Sequence, residues 1–425
     1  MYMRAVPTSG FILPVNKENA LKSEIISKDE AANCANEIRF SFNTQSTSYI
    51  TKSDIMILDM LANNDWKRAM YFTSPGNTSV STAIYQSGHL RANGMAWEIS
   101  PVLAQSRTPI NEKLMFKHLM ETYEYGDLKN PDVLTDYYAR RQITQFRTMF
   151  LQLAEFYVTE ADRIEMNKQQ YEPMIQSLRA SGQTKTADSL ENSFATNANL
   201  PAEYRKKAVA VIKKSLEVMP ARIVFDYGES PSTGEPYTDA NGAQQPSYHE
   251  GVLQSYVSIL FRAGDSKAAE ELGIEVASQL ESIMDYFNNS DAKFAGKNIP
   301  DYAAAVGNYA NLYQFVMDPS FKVEKGALAQ RLQARFATLY KTELPRIYNE
   351  LDQMSIELGE IRNQGTYTVM AAQLKGIMNA IDLTYNITGT QVPNKNNNAF
   401  PMQGNEAVLN ENVLKNVQPS DDSIL

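Results

Sequence analysis

FRTMFLQLAEFYVTEADRI, Phe146–Ile164, places Phe146, Met149, Phe150, Leu153, Ala154 and Tyr157 along one stripe of a helix. Apolar residues three and four apart share a face, so the stretch reads as an amphipathic helix packed against a core. The same period recurs downstream. Ala202–Pro220 repeats it and stops at Pro220, which lacks the N–H a helix needs. Glu250–Gly264 and Asp265–Phe287 form a pair split by Ala263-Gly264-Asp265. Gly264 suits a helix C-terminus, and Asp265 or Ser266 suits an N-cap. Leu328, Leu332, Phe336, Leu339, Leu344, Ile347, Leu351, Met354 and Leu358 carry the period on, with Pro345 inside the run predicting a kink or break. Thr366–Thr388 is a further helix ended by Gly389. The polar stretch Gln169–Asn199 reads as a charged helical hairpin or a loop. Asp226–His249, 24 residues rich in Gly, Pro, Ser and Asp, is a long loop expected to be functional or mobile. That loop and the tail after residue 390 are the sites where proteolysis should cut first.

Upstream of Phe146 the pattern differs. Phe11–Val15 and Ile38–Phe42 read as short strands, and alternation puts Ile38, Phe40 and Phe42 on one face. Ser53 opens a helix through Ile55, Met56, Leu58, Met60 and Leu61, which Asn63-Asn64-Asp65 ends. Ala69–Ser74 is a strand closed by Pro75-Gly76-Asn77, and a second helix is expected over Thr82–Ala92. The expected fold class is therefore mainly α. A small α/β domain spans residues 1–105, a helical, repeat-like domain of tetratricopeptide-like helix pairs spans 106–390, and 391–425 is an extended or disordered tail. A regular repeat period is not demonstrable, so an ordinary helical bundle stays open beside the repeat.

Of 425 residues, 40 are Lys or Arg and 49 Asp or Glu, for a net charge of −9. An acidic chain without a basic block is a poor nucleic-acid binder, so no nucleic-acid partner is expected. The lone Cys34 cannot form an internal disulfide or a Cys-based zinc site, and it reads as a buried thiol. His89, His118 and His249 stand far apart; His89 and His118 are expected on helices and partly exposed. Neither a Gly-rich phosphate cradle nor a nucleophile elbow is present, and the acids around 226–249 lack calcium-loop spacing. No apolar run reaches the roughly 20 residues of a spanning helix. No cofactor, metal or catalytic residue is assigned.

The densest unusual cluster is WKRAMYF, Trp66–Phe72, with Trp97 further on. Trp66, Lys67, Arg68, Tyr71 and Trp97 are the residue types that stack on sugar rings or hold phosphate groups, and they are the candidate ligand-binding residues. The competing and favoured reading makes the two tryptophans core anchors. It has Trp66, Tyr71 and Phe72 packing inward where helix meets strand, although Tyr71 and Phe72 must point to opposite faces.

PVNK (Pro14–Lys17), YITKSDIMILDMLANNDWKRAMYF (Tyr49–Phe72) and LRANGMAWEISP (Leu90–Pro101) resemble the C-terminal region of bacterial multi-spanning membrane proteins. These are the protein O-mannosyltransferase-like glycosyltransferases. TYEYGDLKNPDV (Thr122–Val133), Arg140-Arg141 and FRTMFLQLAE (Phe146–Glu155) are similar too. The likeness covers residues 12–160, loosens over 203–287 and fades beyond. Two departures stand out: the family's Arg-Pro is Arg68-Ala69 here, and its Tyr-Arg is Trp97-Glu98, a reversed charge. The resemblance implies that catalysis belongs to a membrane module absent from this chain, so no catalytic position carries over. It implies a non-catalytic region on the periplasmic face of the membrane, a fragment or a separately encoded half. That region would pack on the membrane-embedded glycosyltransferase module and contact acceptor proteins or peptides. Read instead as a complete gene product, the chain would be cytoplasmic. A free-standing tetratricopeptide-like scaffold and a soluble carbohydrate-active enzyme are the alternatives.

Overall fold

The computed structural model describes residues 10–42, 50–76, 78–103, 109–130, 132–133, 136–196, 198–223, 225–226, 248–249, 251–290, 299–317, 326–362 and 364–385. The chain divides into two compact units, Met1–Gly126 and Asp127–Leu425. It is mainly α, with a small α/β part at the N-terminus. The expectations for the interior of the 226–249 loop, for 386–389 and for the tail fall outside the described residues.

In the first unit, β1 (Gly10–Pro14) pairs antiparallel with β2 (Glu37–Ser41), placing Leu13 opposite Ile38 and Phe11 opposite Phe40. Leu13, Ile38, Phe40 and Phe42 are buried, as the alternation required, and Phe11 stacks on Phe40 at 5.6 Å. Between the two strands lie α1 (Lys17–Lys22) and a 3-10 turn, Glu30–Asn33. Helix α2 (Lys52–Asn64) starts two residues earlier than a cap at Ser53 would have it. Its cap is Thr51, whose hydroxyl accepts the Asp54 N–H at 3.1 Å, while the Asp54 carboxylate accepts the Thr51 N–H at 3.1 Å. This reciprocal pair satisfies two otherwise orphaned donors.

The expected helix over Thr82–Ala92 is instead α3 (Ser79–Gln86) followed by β4 (Leu90–Ala92). Gly88, at φ +79, turns the chain between them. The strand expected at Ala69–Ser74 shortens to β3 (Tyr71–Phe72). It joins a three-stranded sheet of order β3-β5-β4, where β5 is Trp97–Ile99. Asn93-Gly94 makes the β4–β5 turn, a hairpin signal that three-residue strands are too short to announce by alternation. Helix α4 (Glu112–Lys117) runs directly into a π turn, His118–Thr122.

The second unit is built from helices. The Phe146–Ile164 stripe lies within α5 (Tyr137–Ala180), and Phe150, Leu153, Ala154 and Tyr157 are fully buried. Gln169–Asn199 is a helical hairpin: α5 ends, Gly182 at φ +80 turns the chain, and α6 (Thr184–Thr196) returns. Next come α7 (Leu200–Val218) and the paired ends of the long loop, β6 (Phe225–Asp226) with β7 (Tyr248–His249). Helices α8 (Val252–Arg262) and α9 (Ser266–Asn288) meet at Gly264, φ +88, with Asp265 capping the Ala268 N–H at 3.2 Å. Helices α10 (Ile299–Met317), α11 (Ala327–Thr338), α12 (Leu344–Glu357) and α13 (Thr366–Tyr385) follow. The irregularity expected at Pro345 is a π turn, Leu339–Glu343, joining α11 to α12. Pro345 sits in the first turn of α12, where its missing N–H costs least.

Candidate functional site: a buried polar cluster in the N-terminal unit

Register across the three-stranded sheet sets Tyr71 opposite Glu98 and Glu98 opposite Arg91. Directly paired residues project from the same face, so the three side chains meet. Glu98 is 1% exposed and Arg91 9%. The Arg91 guanidinium uses all three of its nitrogens. Nε donates to Glu98 Oε2 at 3.1 Å, Nη1 to Glu30 Oε1 at 2.6 Å and Nη2 to the Ile25 carbonyl at 2.8 Å. The Tyr71 hydroxyl donates to Glu98 Oε1 at 3.3 Å, and Asn111 Nδ2 to Oε2 at 3.5 Å. The network thus ties the 25–30 segment, the sheet and the start of α4 together.

Its electrostatics follow from this geometry. Burial pushes the Glu30 carboxyl up, but the Ser27 N–H and the Arg91 charge outweigh it and hold the group below the ordinary value. Burial and the neighbouring Glu98 charge raise the Tyr71 phenol. With both Glu98 oxygens engaged, the cluster frames the sheet.

A second set of bonds clasps the turn between β4 and β5. His118 Nδ1 donates to the Asn93 carbonyl at 2.6 Å, and the Met95 N–H donates to the Tyr123 hydroxyl at 3.1 Å. The His118 and Tyr123 rings stack at 5.4 Å. Gly94 stands at φ +113, and a Cβ there would run into the Tyr123 hydroxyl. His89 is 7% exposed, in the turn before β4, against the expectation of a partly exposed helical residue. Its Nδ1 donates to the Ser100 carbonyl at 3.0 Å, and desolvation lowers its pKa.

The five candidate residues from the sequence do not form one surface. Trp66 is buried at 5% exposure, and its indole N–H donates to the Pro14 carbonyl at 2.7 Å. Asp65 and Trp66 both take positive φ, 48 and 59, which swings the chain out of α2. Lys67 is exposed, 3.5 Å from the Asp65 carboxylate. Exposed Arg68 borders, with Trp66, Leu13, Ile25, Leu61, Asn64, Met70 and Ile99, a cavity of about 10 Å³, room for one water. Tyr71, expected to pack inward, is 49% exposed on the Glu98 face. Trp97 lies on the opposite face, edge-on to Tyr85 at 5.6 Å. Sequence reasoning missed Arg91, Asn93, Glu98, Asn111, His118 and Tyr123. The available signal was the Asn-Gly turn, which sets Arg91 and Glu98 across a hairpin.

Among the described residues no three His, Cys, Asp or Glu side chains gather as a metal site, and no helix is long and apolar enough to cross a membrane. Residues 2–117 match the family model TMEM260-associated domain 2. The match ends at the last residue of α4, so it takes in the sheet and most of the polar cluster. No curated protein matches the chain, and no solved structure matches it. The TMEM260-associated segment is about a quarter of the sequence, all of it within the first unit.

Proposed function

We propose that the chain is a non-catalytic accessory region of a membrane glycosyltransferase-like protein, docked through its N-terminal unit. The observation that carries this reading is the match of residues 2–117 to a domain defined by its association with TMEM260. The resemblance of the same stretch to the region following the membrane part of O-mannosyltransferase-like proteins points the same way. In this reading the partner is the membrane-embedded glycosyltransferase module, the location is the periplasmic face of the membrane, and the helical unit is free to meet acceptor protein.

The docking face we assign is the outer side of α2. Ile55, Met56 and Met60 are 45%, 58% and 52% exposed there, in the family-matched segment. Side chains four apart on a helix share a surface, so Met56 and Met60 stand side by side, and flexible methionines suit an adaptable contact. The test is affinity purification of the full chain from native membranes. A many-spanning protein should co-purify with the wild-type chain and be lost with a Met56→Glu/Met60→Glu variant of unchanged thermal stability. Co-purification of no membrane protein, or full retention by the variant, would overturn the reading.

A further inference from the structure

The N-terminus of α8 is buried and unsatisfied. Gly251 stands at the cap position, so no side chain caps the helix. Among the described residues nothing accepts from the N–H groups of Val252, Leu253 or Gln254. Each of these residues is less than 10% exposed, so water does not readily take the place of a partner. Four other helices differ: Thr51, Thr78, Asp136 and Asp265 cap theirs with a side-chain oxygen, whereas α7, α11 and α12 also lack a side-chain cap.

The second observation is Gln254 itself. It is 1% exposed, and among the described residues neither its Nε2 nor its Oε1 has a hydrogen-bond partner. A buried amide without partners is costly and rare in native proteins. Helical side chains lean toward the N-terminus of their own helix, so this amide leans toward the uncapped turn. Residues 251 and 254 share a helix face, and Asn308 of α10 borders that face: its Oδ1 lies 3.5 Å from where a Gly251 Cβ would be. Three backbone donors and the Gln254 amide thus belong to the first turn of α8, at the positive end of a helix dipole, with Asn308 Oδ1 beside Gly251.

We propose that this turn is a binding site for a carboxylate. The carboxylate oxygens accept from the α8 N–H groups and from Gln254 Nε2, as anions do at helix N-termini. A peptide terminus fits more of the site than a small organic acid does, because its last backbone N–H has an acceptor in Gln254 Oε1 or Asn308 Oδ1.

The test is thermal unfolding of the full chain at constant ionic strength. Probes are sodium acetate, a tripeptide with a free C-terminus and its C-terminal amide, each against sodium chloride. A carboxylate that binds the folded state raises Tm with concentration. Acetate and the free-acid peptide should both raise it, and the amide should not. A peptide acting at tenfold lower concentration than acetate identifies a chain terminus as the source; equal potency identifies a small organic acid. Gln254→Leu should abolish the shifts while leaving the unliganded Tm unchanged or higher, since it removes an orphaned amide. Absence of a shift with both carboxylates, or full shifts retained in both Gln254→Leu and Gln254→Glu, would overturn the proposal.

Discussion

The two units differ in how they hold their most enclosed cation. In the first, Arg91 and Glu98 are enclosed, their side chains 11% and 2% exposed, and the pair ties three separate segments together. In the second, the described ion pairs run along or between helices and keep both partners at least 15% exposed. Arg179, half exposed, reaches Asp188 and Glu191 across the α5–α6 hairpin, and Lys267 reaches Glu271 one turn along α9. A buried cation among the described residues of the second unit, Arg147, faces carbonyls: its Nη atoms donate to Pro220 at 2.6 Å and Arg222 at 2.9 Å. The difference follows from the elements. Helices satisfy their own backbone and need only an apolar face to pack. Strands of two or three residues satisfy little, so a specific polar cluster must hold them in register.

The strongest way to break this comparison is to remove the cation in each unit. Arg91→Met leaves Glu98 buried with only Tyr71 and Asn111 as partners. An uncompensated buried charge of this kind costs about 3–5 kcal/mol, and the first unit should unfold at markedly lower urea. Arg179→Ala removes an exposed pair and should cost less than about 1 kcal/mol. Equal effects in urea titrations followed by tryptophan fluorescence and far-UV circular dichroism would contradict the distinction. Tryptophan reports the first unit alone, because Trp66 and Trp97 are the two tryptophans of the chain.

The next effect concerns how register is held. Gly94→Ala places a Cβ against the Tyr123 hydroxyl at φ +113, a conformation other residues rarely adopt. Strain of this kind costs about 1–3 kcal/mol. Adding Tyr123→Phe should recover the steric part and leave the backbone part, so a double-mutant cycle separates them. A neutral Gly94→Ala would show that the clasp does not hold the turn.

These particulars explain what was legible. The helices of the second unit announced themselves because a 3.6-residue period runs for many turns, and Gly264 with Asp265 marked a boundary directly. In the first unit β1 and β2 were visible by alternation, but β4 and β5 have three residues each, too few to alternate measurably. Leu90, Arg91 and Ala92 therefore joined the preceding helix until Gly88 is seen to break it. The polar cluster escaped for the same reason: Arg91, Glu98 and Glu30 become neighbours only once the hairpin is known. Trp66 drew attention as an aromatic beside two cations, while its positive φ and its bond to Pro14 could not be read from its type.

A smaller effect tests the caps. Thr51→Ala removes the hydroxyl that accepts the Asp54 N–H and bonds the Asp54 carboxylate at 2.7 Å. Loss of an N-cap costs about 1 kcal/mol. Asp54 is buried and also accepts from the Val80 N–H at 3.4 Å, so the loss should reach α3. Hydrogen exchange should quicken at Val80 as well as in the first turn of α2. Faster exchange confined to α2 would show that Asp54 does not link the two helices.

The smallest effect is a pH dependence confined to one unit. Desolvation lowers the His89 pKa below its ordinary value of 6.5, so the folded state disfavours the protonated ring. The unfolded chain then binds more protons than the folded chain between the two pKa values, and stability rises with pH across that window. His89 therefore contributes stability that is complete above about pH 6.5 and is lost as pH falls through the folded-state value. The Ser100 carbonyl works against this, since it accepts from Nδ1 and favours the charged ring, but burial prevails. Unfolding midpoints read by tryptophan fluorescence should decline from pH 7 to pH 5, and His89→Gln should flatten the decline. The helical signal of the second unit should hold steady over the same range, because Glu165 beside Arg205 and Asp265 beside Lys213 are held below their ordinary values and titrate at lower pH. An equal decline in both signals, or one unchanged in His89→Gln, would remove His89 as the cause.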